Sequence, residues 1–207
     1  MASRHGILSG VKFMEKEEII FEHYKETCEI CRNNEKDRNQ LFVSVCILLT
    51  TLFLLMISET SVTGMFLVWI KEKFHYDLEI SVDIIQSLVW TLLLYFTIRY
   101  YQLCIGIERL YHYIHDVEEK LSAMLGMDIS REGRRYLQEY PMVLSFIWCF
   151  YTIFFPVVYF VLIVAKMVIE LCMSAWNLNL FIHILIGLCA MTITIFYMIF
   201  LHKNNRK

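Results

Sequence analysis

From Met142 to Ile169, and again from Leu178 to Leu201, the chain runs through apolar residues interrupted by one ionisable side chain in each stretch, Lys166 and His183. A bilayer core takes roughly 20 helical residues, range roughly 17–25, and both stretches reach that length. Two further blocks, 41–58 and 81–98, bring the expected spans to four. The second of these is clean only from Ser87 to Ile98 and reaches full length by including Asp83 and Gln86. A hydrophobic fraction of 57% agrees with this reading, since a soluble domain carries about 45–50%.

The blocks predict an all-α integral membrane protein, four transmembrane helices with a cytoplasmic helical stalk. Its expected parts are a cytoplasmic amphipathic helix (1–40), the first span (41–58), a non-cytoplasmic loop with an interfacial segment at Val62 to Ile70 (59–80), and the second span (81–98). A cytoplasmic helical extension with a short helix (99–140) follows, then the third span (142–169), the fourth (178–201) and a cytoplasmic tail (202–207). The opening residues MASRHGILSG hold no long apolar core, so no signal peptide is expected and the first span is the expected insertion signal. Ala2 stands where myristoylation needs glycine, and no terminal CaaX box is present. Of the 19 lysines and arginines, all but Lys71, Lys73 and Lys166 fall before the first span, between the second and third, or after the fourth. That asymmetry predicts a multi-pass protein of the inner or plasma membrane with both termini cytoplasmic. The net charge of −2 shows no basic excess, so no nucleic-acid partner is expected.

The cytoplasmic segments carry the sharpest periodicity. Leu103, Ile107, Leu110, Ile114, Val117, Leu121 and Met124 are spaced four and three in alternation, a heptad seam on a helix that continues the second span and stops at Gly126. Such a helix from about Ser81 to Leu125 would be roughly 65 Å long. The seam has two candidate partners: the chain's own 1–40 helix, whose Phe13, Ile20, Tyr24, Cys28 and Cys31 form a loose stripe, or the same seam on a second copy. Beyond Gly126, Asp128 or Ser130 could cap a short helix ending before Pro141.

Opposite the seam, Glu108, His112, His115 and Glu119 share one face. Carboxylates and imidazoles at helical spacing suit a transition metal in a helical bundle, but one helix cannot encircle an ion, and a solvated face with i, i+4 pairs is the plainer reading. No metal and no cofactor is therefore expected. Cys28 and Cys31 have motif spacing without the second ligand pair that zinc needs. Asp83, Gln86, Lys166, Glu170 and His183 are the membrane candidates, read as ion pairs or as a polar path, because a polar group in lipid is costly unless paired or wetted. Pro156, amid the aromatics of the third span, is a candidate hinge, while Trp69, Tyr76 and Trp176 suit an aromatic belt. No GxxxG pair singles out a close helix contact. Catalytic motifs such as HExxH, the P-loop and GxSxG are absent, so no enzymatic activity is expected.

These features predict a homo-oligomeric sensor or channel-like subunit that lies in the lipid bilayer and couples a membrane event to a cytoplasmic protein. The alternative is a non-conducting scaffold that recruits a soluble protein through its cytoplasmic helices. In outline, four spans around a charged cytoplasmic middle loop, the chain resembles the small four-span membrane subunits of bacterial anti-phage systems, such as the Kiwa membrane component. That resemblance is architectural. It implies a sensor or depolarising effector in antiviral defence acting with a soluble partner, and it assigns no residue a role.

Overall fold

In the computed structural model the described residues are helical and contain no strand, as an all-α fold requires. The description covers the backbone of 3–57, 64–65, 68–69, 71–73, 82–128, 149–173 and 177–204, with side chains over a slightly narrower range. The short helix before Pro141, the belt residues Tyr76 and Trp176, and most of the interfacial segment lie outside it. Four helices carry the architecture: α1 (Ser3–Ile57), α2 (Val82–Leu125), α3 (Phe155–Met173) and α4 (Leu178–Asn204), with a π-helical turn, Phe150–Phe154, before α3. Each of the four is long and apolar enough to cross a membrane.

Local chemistry explains the boundaries. No glycine or proline interrupts α1 after Gly10, so its polar first half and apolar second half form one helix. The C-terminus of α2 falls at Leu125 because Gly126 adopts φ 65°, the left-handed conformation that glycine takes at no steric cost. At the start of α4, Asn177 Oδ1 accepts the Leu180 backbone N–H at 2.8 Å, satisfying a donor that would otherwise lack a helical partner. Pro156 has no N–H and its ring crowds the preceding turn. The turn before it is widened, with the Phe155 N–H reaching Phe150 O, a five-residue step.

Packing divides the chain into two units, 1–39 with 102–145, and 40–101 with 146–207; α1 and α2 each contribute to both. The first unit is a helical hairpin. Tyr24 donates to Glu118 Oε1 at 2.8 Å, Tyr111 donates to Glu35 Oε1 at 2.8 Å, and His23 Nε2 lies 2.9 Å from the Tyr113 hydroxyl. Later residues of α1 meet earlier residues of α2, so the helices run antiparallel. Ile107, Ile114 and Cys31 form the core, with Tyr24, Cys28 and Leu110 packed against it. Val117 and Leu121 are also buried, while Leu103 and Met124 are half-buried. The seam therefore meets the chain's own N-terminal helix, and each fully buried seam residue contributes roughly 1.5–3 kcal/mol. Burial and the neighbouring Glu118 carboxylate push the Tyr24 phenol well above its ordinary value.

The second unit holds the apolar halves. Phe42 on α1 makes ring contacts with Tyr100, Phe150, Tyr151 and Phe155, and Tyr101 stacks on Tyr197 at 4.1 Å. Hydroxyl bonds cross between helices, among them Thr97 to Tyr159 at 3.0 Å and Tyr101 to Thr194 at 3.3 Å. The close pair that no GxxxG announced is α3 with α4, where Gly187 faces Met167; a Cβ on Gly187 would stand 2.5 Å from Met167 Sδ. A thioether swings aside easily. Gly187→Ala should therefore cost at most about 1 kcal/mol and Gly187→Leu about 1–3 kcal/mol, read as thermal unfolding in detergent. Equal midpoints for the two variants would show that this contact does not set the helix spacing.

Candidate functional site

The second unit buries a polar cluster drawn from three helices. Lys166 and Glu170 lie four residues apart on α3, a spacing that puts both on one face, and their charged groups meet at 2.9 Å. Glu170 is 5% exposed and Lys166 1%. From α2, Gln86 Nε2 and Trp90 Nε1 donate to the same oxygen, Glu170 Oε1, the latter at 3.3 Å. From α4, His183 Nδ1 lies 3.2 Å from Glu170 Oε2, and on its far side Nε2 lies 2.8 Å from Ser87 Oγ. The Trp90 and His183 rings sit 6.2 Å apart.

Hydrogen-bond chemistry fixes the direction of the chain of contacts. A carboxylate only accepts, so His183 Nδ1 must carry a proton toward Glu170. With neutral imidazole, Nε2 is then the acceptor and Ser87 donates to it. A protonated imidazole would keep both contacts, donating to Ser87 Oγ instead. The carboxylate is held by three donors, Gln86, Trp90 and His183, and one cation, Lys166, which is what makes an ion pair tolerable away from water.

Of the membrane candidates read from the sequence, Gln86, Lys166, Glu170 and His183 come together here. Asp83 does not join them: it is exposed in the first turn of α2, where a carboxylate faces the positive end of the helix dipole. Pro156 is buried at the π-helical turn, apart from the cluster. Ser87 and Trp90 were not singled out, although helical spacing from Asp83 and Gln86 places them on the same side of α2. On the hairpin, Glu108 and His115 are half-buried and His112 and Glu119 exposed. Among the described residues no group of three or more His, Cys, Asp or Glu converges in a way that could hold a metal ion. None of the seven cysteines forms a disulfide, and Cys31 is buried against the seam with Cys28 half-buried beside it.

Comparison with known proteins adds no relative. The sequence matches no family model and no curated protein, and the fold matches no solved structure.

Proposed function

We propose that the chain is a multi-pass membrane protein, termini and hairpin on the cytoplasmic side, that couples a change at the buried Lys166–Glu170–His183 cluster to a soluble protein held by the hairpin. The observation that carries this reading is helix continuity. α1 and α2 each join a membrane-length apolar segment to a polar segment of the hairpin without a break, and α2 also supplies Gln86, Ser87 and Trp90 to the cluster. The backbone of each helix is shared by both parts, so displacement at one part has a covalent route to the other. The lysine and arginine asymmetry supports the orientation, and the four-span outline shared with anti-phage membrane subunits supports a signalling role. Four spans enclose little, so any conduction would take several copies of the chain.

The test is amide hydrogen exchange on protein in nanodiscs, comparing wild type with His183→Gln. Coupling predicts altered protection over 18–39 and 102–125, far in sequence from the substitution. An unchanged hairpin would favour the scaffold reading, which the seam's closure within one chain also supports, because a satisfied hairpin offers its outer face to a partner. Ion flux in liposomes addresses conduction: Gln86→Ala should change flux while Asp83→Ala leaves it near wild type. Flux indifferent to both would remove a pathway along α2.

A further inference from the structure

Ser87, His183 and Glu170 stand in the order nucleophile, base and orienting acid. Ser87 Oγ is 2.8 Å from His183 Nε2, and the opposite ring nitrogen is 3.2 Å from Glu170 Oε2. This is the connectivity by which a serine hydroxyl is activated, recognised by geometry and not by chain order or fold. The geometry points to Ser87 as the nucleophile of an acyl-transfer site whose substrate is the acyl ester of a membrane lipid.

Three observations support that assignment beyond the distances. The three residues come from three helices, so the alignment is a product of tertiary packing and not of local spacing. Glu170 is pinned by Lys166, Gln86 and Trp90, leaving Oε2 fixed against the imidazole, as an orienting acid must be. His183 is buried, yet Ser87 is half-buried and flanked on α2 by Ile84 and Leu88, 61% and 51% exposed. The hydroxyl therefore sits at the margin of the packed face, beside exposed apolar side chains.

Depth selects the substrate class. Ser87 is five residues into α2, His183 five into α4, and Glu170 three before the end of α3. At about 1.5 Å per residue each lies within about 8 Å of a helix end, the depth of the boundary between hydrocarbon and headgroups where lipid ester carbonyls reside. In the reaction, Ser87 Oγ adds to the ester carbonyl carbon as its proton passes to His183 Nε2. The bond to the glycerol-side oxygen breaks, and that oxygen leaves with the proton. Water repeats the sequence on the Ser87 acyl ester, releasing a fatty acid and restoring the hydroxyl. Nδ1 keeps its contact with Glu170 Oε2 throughout, while Nε2 turns from Ser87 to the departing oxygen to hand over the proton.

The experiment uses the full chain in nanodiscs with a fluorophosphonate probe, followed by peptide mass spectrometry. The expected result is phosphonylation of wild type at Ser87, lost in Ser87→Thr, which keeps a hydroxyl for the hydrogen bond but crowds attack, and at least tenfold slower in His183→Gln. In parallel, vesicles of diacyl phosphatidylglycerol should release free fatty acid and vesicles of its diether analogue should not. No labelling of monodisperse wild type, labelling at another residue, or a rate indifferent to His183→Gln would overturn the nucleophile. Labelling of Ser87 without fatty acid release from the diacyl vesicles would overturn the lipid substrate. These readouts are independent of hydrogen exchange in the hairpin, so this assignment and the coupling function stand or fall separately.

Discussion

Glu170→Gln is expected to be the most damaging conservative change in the bundle, lowering its stability by about 3–5 kcal/mol, because it strands the Lys166 ammonium at 1% exposure without a countercharge. The amide replaces one carboxylate oxygen with a donor, which then opposes the Lys166, Gln86 and Trp90 donors or the His183 N–H. Lys166→Met should cost less. There the carboxylate keeps Gln86, Trp90 and His183 as donors, whereas Glu170→Gln leaves the ammonium facing an amide. Combining Lys166→Met with Glu170→Gln should recover part of the loss, since neither charge then remains alone. Unfolding midpoints in a detergent or nanodisc series check all three. A Lys166→Met penalty as large as that of Glu170→Gln would show that the ammonium, and not the carboxylate, organises the cluster.

The second large effect belongs to the hairpin. Ile107→Asp with Ile114→Asp places two carboxylates where the core holds residues 4% and 2% exposed. Losing each buried isoleucine costs about 2–5 kcal/mol before the desolvation of the new charges is added. Among the described residues of this unit, two helices share that core and no second one is there to absorb the change. Amide protection over 18–39 and 102–125 should collapse while helicity in the bundle persists. If copy number falls while hairpin protection is kept, the seam joins copies and its contact with α1 is secondary.

The helices and the seam were legible because their signals are collective. A run of apolar residues has one physical meaning at length 20, and a seven-residue period survives any single exception. The partner of the seam was not, since α1 carries only a loose stripe, Tyr24, Cys28 and Cys31, and the inter-helix bonds of Tyr24, Tyr111 and His23 depend on which residues come opposite one another. Polar residues in apolar runs are conspicuous, so Gln86, Lys166, Glu170 and His183 stood out individually. Their convergence did not, because it takes the packing of three separate helices, with α2 lying well before α3 and α4 in the chain. Ser87 marks only the start of the clean apolar stretch in the sequence and Trp90 carries no separate signal there, although each supplies a hydrogen bond. Asp83 was grouped with Gln86 by proximity, whereas the first turn of α2 gives its charge an exposed place of its own.

The widened turn at Phe150–Phe154 has a consequence for how the third span should be mapped onto faces. In an uninterrupted α-helix, positions five apart point about 140° away from each other. Here Phe150 and Phe155 both reach the ring of Phe42, at 6.4 and 4.8 Å, because the turn contains one residue more than an α-helical turn would. A helical wheel drawn straight through Pro156 therefore puts the residues on one side of it out of phase with those on the other. Exposed and helix-facing positions have to be counted from the turn itself, and a one-residue deletion within it would restore the four-residue spacing and leave Phe150 and Phe155 on the same side.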